Sequence, residues 1–310
     1  MGADDNQAMS ETVHPTLPLP DLVLISVEGP DAGTFLQGQL TQDVLSLEPS
    51  QARPGGYCSA KGRLLANFVI LRPQPETWWL ITRASIAESL VKRLRMFVLR
   101  ARCTLQVRSD LGLFGAWSER APLWQVHRDA APETETTTAI GWFGGRTLLI
   151  GSPGAGPAAA DPTHWARADI EAGWPWIEPA TADQFVPQMV NFELLGGVNF
   201  RKGCYPGQEV VARSQYRGIL KRRMAACTVQ GPDAAPAAGA EVFHSEDREQ
   251  PAGMVVNAAP AAHGDNTDWA LLIEVKTAAT AAGHLHLSSP DGPILQLRPL
   301  PYAVPAQAQD

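Results

Sequence analysis

The sequence predicts an α+β protein that closes with a small β-barrel, and three observations predict it. Short apolar runs of alternating pattern, bounded by Gly and Pro, recur through the first 220 residues. Among them stand a few helical stretches, the clearest at Ile86–Leu99, where Ile86, Leu90, Leu94, Phe97 and Val98 repeat at three and four. From Lys221 onward the texture changes to short strands separated by Gly-, Pro- and Ala-rich loops, with no strong helix.

The elements follow in order. Residues 1–18 read as a disordered, polar tail. Leu22–Val27 is a strand, and Pro30 and Asp31 open a helix that carries Phe35, Leu36 and Leu40. GGYCSAKGRLLANFVILR reads as two strands joined by a turn at Ala60–Gly62, and Trp78–Thr82 is the next strand. After the long helix, whose other face carries Lys92, Arg93, Arg95 and Arg100, come strands at Cys103–Arg108, Leu111–Trp117, Leu123–His127 and Thr147–Ile150. Ala130–Thr138 reads as a surface loop and 151–160 as a Gly/Pro/Ala linker. A helix follows with Asp161 as N-cap and Pro162 at its first position, ending near Gly173. The barrel strands are expected at Met224–Val229, Glu241–His244, Gly253–Val256, Trp269–Val275, Leu285–Leu287 and Ile294–Leu297. The expected division is 19–222 for the α+β region and 223–304 for the barrel.

The chain has 310 residues and a formal net charge of −7, which argues against a protein that coats nucleic acid non-specifically. Its four cysteines are far apart, with no CxxC pair, so no zinc knuckle or four-cysteine cluster site is written locally. The N-terminus lacks the pattern of a signal peptide, and no apolar run approaches a membrane span, so a cytoplasmic protein without a membrane partner is expected. There is no GxGxxG and no Walker motif.

Chemistry concentrates in RKGCYPGQEVVAR, Arg201–Arg213. Cys204 lies beside Arg201 and Lys202, and Gly203 and Gly207 free the backbone on either side. A helix starts at Gln208, whose dipole and the neighbouring cations favour thiolate. Two readings stand: a structural cysteine in a Gly-rich turn, or a reactive or ligating thiol. Seven cations fall between Arg201 and Arg223 (Arg201, Lys202, Arg213, Arg217, Lys221, Arg222, Arg223), with Glu209 alone opposing them in that stretch. They suggest an anion site for a carboxylate tail, a phosphate or an RNA backbone, or else a solvated helix end. Trp165 and Glu171 pair an indole able to stack on a flat heterocycle with a carboxylate able to accept two N–H bonds. The alternative is a core tryptophan and a surface glutamate.

KGCYPGQE, followed by VVAR and RGILKRR, resembles the signature of the YgfZ family. The resemblance extends through FLQGQLTQDV, CSAKGRLLANF, IEAGWPWI, QFVPQMVNFELLGGVNF and RPLPYAV. It implies a glycine-cleavage T-protein-like fold of two α+β lobes plus a C-terminal barrel. It also implies a bound folate (tetrahydrofolate or a derivative), no tightly held metal, and a role in iron–sulfur protein maturation or repair and, through it, in tRNA modification. Implied partners are folate and Fe–S assembly factors or client enzymes, with tRNA reached indirectly. The functional thiol would be Cys204, in at most transient contact with a cluster. The motif residues Arg201, Lys202, Gly203, Tyr205, Gly207, Gln208, Glu209, Arg213 and Arg217 would form the rest of that site. Trp165 and Glu171 match folate-contacting positions, while Leu22 stands where relatives carry a second tryptophan. The T-protein's acidic pair, which includes its catalytic aspartate, is replaced by Ala66 and Asn67, and the Arg of its G-R-E motif by Gln208. Those changes disfavour an aminomethyl or other one-carbon transferase, the alternative enzyme reading. A third reading is a direct tRNA binder that uses the Arg201–Arg223 cations.

Overall fold

The computed structural model describes residues 16–117, 122–129, 137–151, 161–216, 220–231, 234–261 and 268–305. Most of the expected tail, residues 152–160 of the expected linker and Arg217 lie outside the described residues, while Gly151 ends a strand.

The first lobe follows β1 (Leu17–Pro18) and comprises β2 (Leu22–Glu28), α1 (Ala32–Gln37), β3 (Ala52–Cys58), β4 (Leu64–Gln74), β5 (Thr77–Arg83), α2 (Ala84–Val98) and β6 (Thr104–Arg108). Its sheet runs β3-β4-β5-β2-β6, all antiparallel. Phe68, Val69, Ile70 and Leu71 are consecutive and all fully buried, so β4 is covered on both faces. Of the stripe expected on α2, Ile86, Leu90 and Leu94 are buried, joined by Ala87 and Val91, but Phe97 is 43% exposed and Val98 half-buried, so the buried stripe stops a turn before the helix end.

The second lobe uses β7 (Gly112–Ala116), β8 (Val126–Asp129), β9 (Thr137–Trp142) and β10 (Arg146–Gly151), in the order β1-β7-β10-β9-β8, followed by α3 (Thr163–Glu171). Three sequence expectations change here. The loop expected at Ala130–Thr138 gives way to a strand at Thr137, because β9 pairs on both sides, with β10 and with β8. The strand expected at Leu123–His127 starts at Val126, because Trp124 adopts φ 63°, outside strand geometry. Pro162, not Asp161, is the N-cap residue of α3, although the Asp161 carboxylate still accepts the Thr163 N–H at 3.0 Å.

Then α4 (Gln208–Tyr216) leads to β11 (Arg222–Val229), β12 (Glu241–His244), β13 (Gly253–Pro260), β14 (Trp269–Lys276), β15 (Leu285–Leu287) and β16 (Ile294–Arg298). These six close as β11-β14-β13-β12-β15-β16. Strand alternation assigns the two faces. Cys227, Val255, Leu271, Ile273 and Val275 fill the barrel, while Ala226, Val256, Ala270 and Leu272 join the core of the lobes. A register slip between Val255 and Asn257 on β13 marks a bulge. Next to it, the Asn257 amide pairs with both the N–H (2.8 Å) and the C=O (3.0 Å) of Trp176, joining barrel to lobes.

Candidate functional site

The Cys204 loop is built on a contact between two glycines. Gly62, in the β3–β4 turn, and Gly207 both have positive φ, 72° and 75°. A Cβ on Gly207 would lie 2.4 Å from the Ser59 carbonyl oxygen and 2.5 Å from Gly62 Cα, so only glycine allows this approach. Asn199 Oδ1 turns the chain into the loop by accepting the N–H groups of Arg201 (2.8 Å) and Lys202 (3.1 Å). Tyr205 and Val211 are buried beneath it, and Val210 packs on Gly62. Cys204 is left exposed, as are Arg201 and Gly203. The other thiols differ: Cys58 and Cys227 are buried and Cys103 half-buried, and burial pushes all three up, Cys227 to about 12.

The cations of this region are not one patch. Lys202 is 8% exposed and donates to the carbonyls of Gln37 and Leu40, the latter at 2.7 Å, fastening the loop to α1. Burial pushes its ammonium down to about 8, against the opposing pull of Asp43 and Cys204. Arg213 pairs with Glu209 at 3.1 Å on the exposed face of α4. Arg222 grips buried Glu274, and Arg223 grips buried Glu193. Burial raises the pKa of Glu193 and Arg223 opposes that rise. The expectation that Glu209 alone opposes these cations is therefore corrected: two buried carboxylates from elsewhere in the chain do so. Arg201 and Lys221 are the exposed remainder among the described residues, while Gln208 is half-buried at the start of α4.

A second focus lies around α3. Asp169, 2% exposed, accepts hydrogen bonds from the indoles of Trp142 (2.9 Å) and Trp176 (3.0 Å) and from Arg146 (2.8 Å). Arg146, 1% exposed, also donates to the carbonyls of Phe143 and Trp165 and lies 4.3 Å from the Trp165 ring centroid. On one side of this pair is a cleft of about 460 Å³ lined by Arg83, Asp169, Trp174, Trp176, Glu178 and Asn257 among others. Trp165 and Leu22 meet in an adjoining recess of about 20 Å³ that shares Arg83, Ala166, Asp169 and Trp176 with it. On the other side a cleft of about 590 Å³ is lined by aromatic side chains, Arg146 and Glu171. The structure thus separates Trp165 from Glu171. Six residues along a helix is a rotation of about 240°, which sets the pair about 120° apart. Asp169, four residues from Trp165, shares its face. That spacing was the signal for the carboxylate sequence reasoning missed.

Asn67 is buried and both polar atoms of its amide are bonded to backbone: its Nδ2 donates to Pro175 O (2.7 Å) and its Oδ1 accepts the Ile177 N–H (2.8 Å). At this position the chain ties the IEAGWPWI segment to β4. No cluster of His, Cys, Asp and Glu suited to a metal ion occurs among the described residues, and no helix among them is long and apolar enough to cross a membrane.

Two α+β lobes and a closed barrel around these clefts form the T-protein architecture. The glycine cleavage system aminomethyltransferase T of Bartonella henselae superposes with a TM-score of 0.70 over 93% of this chain and 86% of its own, at 18% identity. Sequence comparison narrows the class. The tRNA-modifying protein YgfZ of Klebsiella pneumoniae (strain 342) is 35% identical over 226 residues, covering 66% of this chain and 69% of the relative. That of Sodalis glossinidius is 30% identical over 94% of this chain and 97% of the relative. No family model matches. The chain belongs to the YgfZ family.

Proposed function

We propose that this protein is a folate-binding accessory factor in tRNA modification, acting through maturation or repair of iron–sulfur proteins, with Cys204 as its functional thiol. The observation that carries the proposal is the construction of the loop. Gly207 on Gly62, Asn199 on the turn and buried Lys202 on α1 hold a single exposed thiol in place. A packing cysteine would be inside. One thiol cannot complete the coordination of a cluster, so it serves as a transient contact with a client or an assembly factor.

Folate fits the cleft of about 590 Å³ that holds Glu171. Trp117, Trp124 and Phe143 line it for a flat ring, Trp165 backs Trp117 edge-on at 5.8 Å, and the exposed Glu171 carboxylate offers an acceptor for the N–H donors of an aminopyrimidine edge. Bound there, folate would supply a one-carbon carrier. The protein's part is to stack the ring, pair its amino groups and exclude water. The transferase alternative is less favoured, because the Asn67 amide is spent on backbone groups.

Two measurements test the reading. Calorimetry should show tetrahydrofolate binding that weakens by about 1–3 kcal/mol in Glu171→Ala, the range for a hydrogen bond to a charged group. Cys204→Ser should keep fold and folate affinity, yet lower Fe–S enzyme activity and tRNA modification in cells. Absence of folate binding sinks the first half, and full in-cell function of Cys204→Ser sinks the second.

A further inference from the structure

The outer face of α2 has no part in the folate or thiol chemistry. Residues 84–100 hold four cations, Lys92, Arg93, Arg95 and Arg100, against a single carboxylate, Glu88, in a chain of net charge −7. All five are exposed. Arg95 donates to the Leu105 carbonyl, and Arg93 lies beside the phenol of buried Tyr57. None of the four cations pairs with a carboxylate among the described residues. Exposed cations elsewhere, such as Arg102, Arg213 and Arg248, do pair.

Beside these cations runs a groove. A cavity of about 470 Å³ is lined by Leu65, Leu90, Pro179 and Ala182, with Lys92 and Arg93 next to them. A second, of about 590 Å³, shares Ser89, Lys92 and Met96 with the first and reaches Glu88 and Arg95. Toward the end of the helix, apolar side chains leave the core. Met96 is 59% exposed and Leu99 86%. Phe97 continues the stripe of Ile86, Leu90 and Leu94 where the protein's own core no longer covers it. Leu99 is held out at φ 44°, a conformation that residues with bulky side chains avoid. Met, Phe and Arg side chains around a concave apolar surface are the composition of a protein-binding groove.

The groove and the Cys204 loop are built on the same hairpin. Tyr57, on β3, lines the groove two residues before Ser59, whose carbonyl Gly207 approaches. Ala182, also in the lining, precedes Asp183, whose backbone is bonded to Leu64 (2.8 Å) and to the Arg63 side chain (3.2 Å) at the β3–β4 turn.

We propose that this groove docks an acidic amphipathic helix of a protein partner, with its apolar side chains against Leu90, Met96 and Phe97 and its carboxylates against Lys92, Arg93 and Arg100. The inference rests on the reading that a client or assembly factor meets Cys204, for which the groove supplies the grip that one thiol cannot. A helix laid in a groove inserts side chains into a concave surface, which a flat bilayer does not. Anionic lipid is also repelled by a chain of net charge −7. RNA would be drawn to aromatic faces beside the cations, and Phe97 is the only aromatic residue of α2.

Fluorescence anisotropy reads the groove with a labelled, stapled helical peptide that carries leucine along one face and glutamate along the other. This peptide should bind at least about tenfold tighter than its counterpart with glutamine in place of glutamate. Lys92→Glu and Met96→Asp should each weaken it at least about tenfold, while Arg248→Glu, the same change of charge on the barrel, should leave it within about twofold. All three positions are exposed, and unchanged thermal melting would show that the variants fold. Cys204→Ser should bind the peptide as wild type does. In cells, Met96→Asp should lower Fe–S enzyme activity while tetrahydrofolate affinity is kept. No binding of the acidic peptide, equal binding of the glutamine peptide, or binding untouched by Lys92→Glu and Met96→Asp overturns the proposal. So does binding of phosphatidylglycerol vesicles or of poly(U), lost in Lys92→Glu, by a protein that ignores the peptide, because the face then belongs to a membrane or to RNA. Loss of in-cell function in Cys204→Ser but not in Met96→Asp removes the partner's role and leaves the proposed function standing. Full in-cell function of Cys204→Ser sinks the proposed function, while the peptide titration still decides the groove.

Discussion

Replacing Asp169 by Asn tests whether one carboxylate holds the two clefts apart. Asp169 has three donors within 3.0 Å, and none of the four groups reaches water readily. Asparagine keeps the shape but removes the charge. Arg146 would retain its bonds to the carbonyls of Phe143 and Trp165 and its contact with the Trp165 ring, yet its cation would lack a counter-charge in a buried site. Breaking a buried pair from one side costs about 3–5 kcal/mol. If the asparagine oxygen stays on Arg146 and Trp142, its amide faces the Trp176 indole N–H, donor against donor, for a further loss of about 1–3 kcal/mol. Flipping the amide moves the mismatch to Arg146. Urea unfolding, followed by circular dichroism at neutral pH, should show a loss of at least about 3 kcal/mol with an unchanged denaturant slope. Glu171→Gln, two residues on and exposed, should change stability by no more than about 0.5 kcal/mol. A loss under about 1 kcal/mol for Asp169→Asn would refute the reasoning, since it would mean that Arg146 never depended on that charge.

Two other outcomes follow from the Cys204 loop. Gly207→Ala should destabilise by more than the about 1–2 kcal/mol that left-handed backbone costs an L-residue, because its Cβ would also meet the Ser59 oxygen and Gly62. Gly203→Ala, with open space at its Cβ, should stay within about 0.5 kcal/mol, and equal losses in urea unfolding would remove the glycine contact as the cause. Lys202 titrates near 8 in the fold against 10.5 unperturbed, so between those values the unfolded chain binds more protons and stability contributed by this group rises with pH. Wild type should gain about 2 kcal/mol relative to Lys202→Met between about pH 7 and pH 9.5, and parallel pH profiles for the two would contradict it.

What could be read in the sequence depended on the range of the interaction. Barrel strands such as Glu241–His244 and Leu285–Leu287 were legible because alternation and the flanking turn residues are local. So was α2, whose stripe spans three turns. β9 was not, because TTAIGW is held by neighbours on both sides and carries little alternation of its own. At the site, the turn chemistry around Cys204 was visible, but the structure showed that Gly207 needs Gly62, 145 positions earlier in the chain. Trp165 and Glu171 were paired by chemical type, and helix geometry separates them.

The cations show why charge clustering in sequence can mislead about partners. Glu193 and Glu274 lie outside Arg201–Arg223, and folding brings them onto Arg223 and Arg222 at positions where an unpaired carboxylate would be costly. Lys202 has no carboxylate partner but spends its protons on two carbonyls of the α1 end. With these three committed, Arg201, Lys221 and Arg213, the last in a solvent-exposed pair with Glu209, are the exposed cations of the stretch among the described residues, too few for a tight grip on a phosphate backbone. An RNA contact in a chain of net charge −7 therefore has to draw its affinity from base recognition more than from phosphate neutralisation. This predicts weak dependence on salt. Any RNA binding measured at about 50 mM and about 200 mM salt should differ by less than tenfold, whereas a contact that neutralised six to ten phosphates would lose about 10³–10⁵ in affinity over that range. A loss of that size would return the contact to a cationic surface.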